Sequence, residues 1–224
     1  MILTWLGHSC FKIQDKVGAD GITVVTDPFD GEMVGLKMPR VSADIVTVSH
    51  DHKDHNNIEA VDGGSTALTA GEPMIINGAG EYEYKGIFVE GILSYHDEKK
   101  GAERGQNIIY RITVDDINIV HLGDLGHELD PKQLDRVEGA DILLVPVGGK
   151  YTINAERAVD VVNAIEPRIV IPMHYKMDGV KIDGLDPVQK FITAIGLKPE
   201  YEERLKLSKK DLPAEETQLV ILSL

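Results

Sequence analysis

Apolar residues follow two rhythms along this chain. In the first half they come as short runs that alternate with polar residues or stay apolar between turn residues. ILTWL, CFKIQ and ITVVTDPF predict strands. DIVTVS, residues 44–49, is a strand-length run that ends against His50. TALTA, PMIING, YEYKG and IFVEGILSYHD continue the series. NIIYRITV and INIVHLGD predict a hairpin with Asp115 and Asp116 in its turn.

The second half adds a helical rhythm. DPKQLDRV predicts a helix with Asp130 as N-cap and Pro131 at the first helical position. NAERAVDVVNAI carries apolar residues at helical spacing, has Asn154 as cap and stops before Pro167. DPVQKFITAIG predicts a helix closed by Gly196. ADILLVPV, RIVIPMHY and TQLVILSL predict strands between and after these helices. The class is α/β or α+β, with more strands than helices.

Composition narrows the setting. The chain has 224 residues, 42% of them hydrophobic and 27% charged, which fits one soluble globular domain spanning 1–224. Its apolar runs are strand-sized, too short to span a membrane. MILTWLGHSCFKI lacks a basic start and a small-residue cleavage site, so it reads as strands and not as a signal peptide. Cys10 is the only cysteine, which excludes an internal disulfide and makes the cytoplasm the expected compartment. The net charge of −14 repels a phosphate backbone, and the basic pieces LKLSKK and EKKGAER read as solvated loops or helix faces. A small molecule is therefore the expected partner, with neither nucleic acid nor membrane.

The chemistry gathers at SHDHKDH, residues 49–55. DIVTVS runs into His50, ILSY into His96, IVHLG into Asp124 and IVIPM into His174, so four apolar runs each end at a metal-binding residue type. Functional groups in sheet proteins cluster at strand ends, held by the rigid sheet behind them. Imidazole and carboxylate suit Zn²⁺ and similar ions, with Mn²⁺ and Fe²⁺ as alternatives. On extended backbone, positions i and i+2 point the same way, so His50 and His52 can grip one ion. Asp54 and His55 can then face a second. His96 would complete the first set, His174 the second, and Asp124 would bridge.

Nearby residues have two uses each. Asp51 and Lys53 fill variable places and face solvent or pair locally. Asp27, before Pro28, is either a plain turn residue or an acceptor for a metal-bound histidine. His8 reads as a core or turn histidine, with a place near the site as the alternative. His121 is packed or supports a ligand, and His127 touches substrate or caps the next helix. Arg104 is a surface residue or binds an anionic substrate group, and Tyr175 packs or donates to an oxyanion. Gly148 and Gly149 form a turn or admit a ligand to the backbone. Ser9 and Ser49 lack a Ser-His-Asp arrangement.

SHDHKDH, SYHD (94–97), HLGDLG (121–126) and PMHY (172–175), in that order, resemble the metallo-β-lactamase-fold hydrolases. LGHSCF, TDPF and PVGGKYT look more narrowly like the metal-dependent hydrolases of the lactonase and phospholipase-D-like branch. The resemblance covers essentially the whole chain and implies a four-layer αβ/βα sandwich with a dinuclear site at one sheet edge. It implies His50, His52 and His96 at one metal, Asp54, His55 and His174 at the other, and Asp124 between. Many true β-lactamases place a cysteine on the second metal where this chain has Asp124, which argues against lactam hydrolysis. The expected activity is hydrolysis of a small ester, lactone or phosphodiester by a metal-bridging hydroxide, with Asp54 orienting the nucleophile and moving its proton. A non-catalytic metal-binding module and an RNA-processing nuclease are the alternatives.

Overall fold

The computed structural model describes residues 1–15, 21–65 and 71–224. Its first half contains β1 (Ile2–Gly7), β2 (Cys10–Gln14), β3 (Thr23–Thr26), α1 (Gly31–Val34), β4 (Val41–Ala43), β5 (Ile45–Thr47), β6 (Val61–Gly63), β7 (Met74–Ile76), β8 (Gly80–Tyr84), β9 (Ile87–Tyr95) and β10 (Gln106–Val114). The second half contains β11 (Ile117–His121), α2 (Pro131–Val137), β12 (Ile142–Pro146), α3 (Ala155–Ile165), β13 (Ile169–Met173), α4 (Val188–Ile195), β14 (Pro199–Glu202), β15 (Leu205–Lys206) and β16 (Gln218–Leu222). TALTA lies outside the described residues. The other predicted strands and the three predicted helices form.

Strands β15-β1-β2-β3-β5-β7 make one sheet, β14-β16-β13-β12-β11-β10-β9-β8 a second, and β4-β6 a small ribbon. Alternation along the first sheet separates two clusters. Val24 and Ile45 join the large core with residues of the second sheet, while their neighbours Val25 and Val46 join a smaller cluster with Phe29, Val34 and Val61. This follows from the period of two, which sends successive side chains to opposite faces. In β12 and β13 every residue is buried, the mark of strands covered on both faces.

The helices hold the predicted caps. Asp130 accepts from the backbone N–H groups of Lys132 and Gln133, and Gln133 Oε1 in turn accepts from Asp130 N–H, closing a capping box. Asn154 accepts from Arg157 N–H at the start of α3. The β10–β11 turn puts Asp115 and Asp116 both at positive φ, the backbone a tight two-residue hairpin needs. Helix α2 contacts β9, and α3 contacts β12, α2 and α4, so the helical layer lies mainly on the second sheet. The other outer layer is thinner, with the four-residue α1 and the β4-β6 ribbon. Among the described residues, no helix is long and apolar enough to cross a membrane.

Candidate metal centre

Strand direction explains why distant residues meet. Strands β1 and β3 both run antiparallel to β2, and β5 runs parallel to β3. Strands β9 and β11 both run antiparallel to β10, and β12 and β13 continue parallel to β11. Within each sheet these C-terminal ends therefore share one edge. The first sheet delivers His8, Asp27 and the 48–57 loop there. The second delivers His96, Asp124 and His174.

The loop brings its histidines together differently from the sequence expectation. Strand β5 ends at Thr47, so His50 and His52 do not sit on pleated backbone. A tight turn aligns them instead: His52 N–H donates to His50 O at 3.1 Å, and His55 N–H to His52 O at 2.8 Å. The rings of His50 and His52 meet edge to face, with centroids 4.5 Å apart. The loop is pinned to the turn after β3, with Asn57 N–H donating to Pro28 O and Asn57 Nδ2 to Phe29 O.

All seven predicted ligands converge. Potential ligand atoms of His50, His52 and His96 lie within 4.8 Å of one another, as do those of His8, Asp54, His55 and His174. Asp124 sits between the groups. Its Oδ2 lies 3.2 Å from His174 Nε2, 3.3 Å from His55 Nε2, 3.3 Å from His96 Nε2 and 3.9 Å from His50 Nε2. Ligand atoms bound at about 2.0–2.1 Å around a tetrahedral ion stand about 3.3–3.4 Å apart. The Asp124 contacts to His174, His55 and His96 have that spacing.

The hydrogen-bonded backing turns imidazole Nε2 atoms inward. Asp27 Oδ1 accepts from Ser49 N–H at 2.7 Å, and its Oδ2 accepts from Ser49 Oγ at 2.6 Å and His55 Nδ1 at 2.9 Å. Because Ser49 Oγ donates to Asp27, it accepts from His50 Nδ1, 2.9 Å away. His50 and His55 thus each present an Nδ1–H to this backing and turn Nε2 toward Asp124. These two Nε2 atoms and Asp124 Oδ1 are buried without a hydrogen-bond partner among the described residues. Buried polar atoms are seldom left so, and this donor set fits a divalent ion. Asp27 shapes a strand-end turn at φ +38° and also ties down His55 directly and His50 through Ser49.

Asp124 has its own scaffold. Asn107 Oδ1 accepts from Asp124 N–H at 2.9 Å, while Asn107 Nδ2 donates to Leu122 O and Ser94 Oγ. Gly123, at φ +56°, lets this turn close, since a Cβ there would collide with Asn107 Oδ1 and the Ser49 side chain. His121 supports the same end: its Nδ1 accepts from Gly123 N–H, so its Nε2 donates to Ser9 O at 2.8 Å. Asn107 carries no metal-site signature in sequence; its polar side chain inside NIIYRITV is the one visible clue. Gly148 opens the way for the backbone carbonyl of His174.

Burial and charge set the protonation states. Burial, helped by the charge of His55, pushes His50 down to about 3. Burial and His174 push His8 down to about 4, and burial also lowers His96 and His121. For Asp124 burial opposes the charged form, but His174 and His55 outweigh it and hold the carboxyl well below the usual range. Burial opposes protonation of His55 too; there Asp124, Asp27 and Asp54 prevail and raise it well above the ordinary value. The Cys10 thiol is fully buried and pushed up by burial and Asp27, far from thiolate character.

A cleft of about 700 Å³ opens over His52, Asp54, His96, Asp124 and His174. Its rim includes Met33, Ile182, Tyr151, Lys53 and Arg104. Arg104 lies over the Tyr151 ring, 5.8 Å from the centroid, on a loop that Asp97 organises. The Asp97 carboxylate accepts the backbone N–H groups of Lys99, Gly101, Glu103 and Arg104. Burial opposes its charge, yet those four donors bring its pKa down to about 2. Asp51 also lines the cleft and accepts from Asn56 Nδ2. Tyr175 and His127 stand aside: Tyr175 packs on Trp5 with ring centroids 5.4 Å apart, and His127 bonds Tyr95 N–H and Glu128 O. His8 occupies the β1–β2 turn, as read from sequence, yet its ring also stands among the second group of ligands.

Known proteins match this fold and site. Residues 2–174 match the Beta-lactamase superfamily domain family. A UPF0173 metal-dependent hydrolase of Thermoplasma volcanium is 29% identical over 92% of this chain and 98% of its own. Another, of Staphylothermus marinus, is 33% identical over 78% of this chain and 83% of its own. A Thermotoga maritima crystal structure from the metallo-beta-lactamase superfamily superposes with a TM-score of 0.76 at 34% identity, covering 99% of this chain and 97% of that one. The chain belongs to the metallo-beta-lactamase superfamily and, within it, to the UPF0173 metal-dependent hydrolases.

Proposed function

We propose that the protein is a hydrolase working through two divalent ions held at this centre, with a small ester, lactone or phosphodiester as substrate. The observation that carries the proposal is the single oxygen, Asp124 Oδ2, set 3.2–3.3 Å from Nε2 of His174, His55 and His96. His50, His52 and His96 would hold one ion, and Asp54, His55 and His174 the other. Zn²⁺ is the first choice for so imidazole-rich a set, and the carboxylates also admit Mn²⁺ or Fe²⁺. Once bound, the ions supply the acidity that makes hydroxide available from water near neutral pH and the charge that steadies an oxyanion.

The chain's own residues do the rest. Asp54 borders the cleft and stays a carboxylate, because His8 and His55 outweigh the burial that opposes its charge. It is suited to orient a water and accept its proton. Asp27, through Ser49 and His55, fixes which imidazole nitrogen faces inward. The apolar rim of Met33, Ile182 and Tyr151 would receive the substrate body, and Arg104 an anionic group. With no disulfide open to its single cysteine, the protein suits a cytoplasmic setting.

Protein purified without chelator should contain close to two ions per chain and turn over members of an ester, lactone and phosphodiester panel. Full metal occupancy in a His50→Ala, His174→Ala double variant would defeat the site assignment. Two tightly held ions without turnover of any panel member would favour the non-catalytic module. The net charge of −14 disfavours a nuclease, and salt-sensitive RNA binding would revive it.

A further inference from the structure

The second ligand group contains one side chain more than a bridging aspartate and three ligands require. His8 is 2% exposed, and neither of its ring nitrogens has a hydrogen-bond partner among the described residues. A packed core histidine normally satisfies at least one. His121 shows the contrast within this molecule, since both its nitrogens are bonded. Nor is His8 adrift. Its carbonyl accepts from Trp5 Nε1 at 2.9 Å and from His174 N–H at 3.2 Å, so the turn is tied to another ligand-bearing residue.

Its direction follows from topology. Strand β1 ends at the same edge as β3 and β5, which makes His8 a further strand-end arrival at the centre. The ring lies 4.1 Å from His174 and 5.1 Å from His55, centroid to centroid. His8 Nε2 is 3.4 Å from Asp54 Oδ2, the same kind of spacing that Asp124 keeps to its histidines. His8 and His174 both have left-handed backbone, at φ +52° and +53°. Such backbone in a residue with a Cβ persists where surrounding structure enforces it.

We propose that His8 is a further ligand of the second ion, joining Asp54, His55 and His174 through Nε2. The inference rests on the metal-centre proposal above. A five-residue set, Asp124 included, would give the second position as many imidazoles as the first and make it the more tightly held of the two.

The test is a Co²⁺ titration of chelator-stripped protein, following stoichiometry, affinity by chelator competition, and the visible Co²⁺ absorption. The wild type is compared with His8→Asn, chosen because Asn tolerates left-handed backbone, and with His52→Ala, which disables the first position. Expected for His8→Asn are an intact first-position equivalent, a second-position equivalent weakened at least about tenfold, and an altered absorption band for that equivalent. In the His8→Asn, His52→Ala double variant, the one equivalent left in His52→Ala should weaken by the same factor. Unchanged affinity in His8→Asn overturns the proposal, as does weaker binding with an unchanged band, or equal weakening of both equivalents. If the wild type takes up no Co²⁺, the centre itself fails. If it takes up two and His8→Asn matches it, only the role of His8 fails.

Discussion

At the scale of single residues, Asp27 ties two of the predicted ligands, His50 and His55, to one backing carboxylate. It accepts three hydrogen bonds, two from Ser49 and one from His55, and reaches His50 through Ser49 Oγ. Asp27→Asn keeps the shape but points an amide N–H₂ at a donor. The expected result is a metal affinity lower by about 10–100-fold, read by chelator competition, and a fold weakened by about 1–3 kcal/mol, read by denaturant melting. Unchanged affinity would show that the Ser49 and His55 bonds do not steer the ligands. Gly123 is the second sensitive position. Gly123→Ala places a Cβ against Asn107 and Ser49 on left-handed backbone, so its denaturant midpoint should fall by an amount worth about 2 kcal/mol. A neutral Gly123→Ala would mean that the turn before Asp124 yields more easily than its contacts suggest.

At the scale of elements, Asp97 turns the stretch after β9 into a fixed loop. Asp97→Asn should speed amide hydrogen exchange at Lys99, Gly101, Glu103 and Arg104 while leaving the β9–β10 ladder protected. Equal protection in the variant would show that the loop is held by other contacts. This scale also separates what sequence pattern reveals from what it hides. The β10–β11 hairpin and helices α2 and α3 were legible because pattern and caps agree locally, down to Asp115-Asp116 and the Asp130 capping box. Strand β14, PEYE, was not: three of its residues are exposed, and it exists by pairing with β16. Likewise the seven predicted ligands stood out as metal-binding types at or just past the ends of apolar runs, whereas Asn107 and the Asp27–Ser49–His50 relay exist only across strands. His50 and His52 come together through a turn and not through the pleat their i, i+2 spacing suggests, because a turn can align two side chains as well as a pleat does.

At the scale of the molecule, the centre packs ionisable groups into the edge of a large core, and this should govern acid stability of the metal-free protein. His50 and His8 are held neutral by burial, down to about 3 and about 4, and His96 and His121 are lowered as well. In the unfolded chain a histidine titrates near about 6.5. Below that pH the unfolded state takes up protons that the native state refuses, so their contribution is present above about 6.5 and declines as the pH falls. His55 works the other way. Its raised value means that its contribution is present below the unfolded pKa and is lost as the pH rises through the folded one. Asp124 and Asp27, both lowered, lose theirs only as the pH falls below the usual carboxylate range. Between pH 6.5 and 5 the contribution of His55 is already in place, so the depressed histidines set the slope. Each fully depressed histidine removes about 2 kcal/mol over that window. The melting temperature of chelator-treated protein should drop clearly from pH 7 to pH 5, and His50→Gln should flatten that slope. With divalent ions bound, the same protein should resist acid further, since protons must displace the metal before they reach the imidazoles. A metal-free protein whose melting temperature stays level from pH 7 to pH 5 would mean that these histidines are solvated in solution, and the closed, inward-facing ligand geometry would not hold.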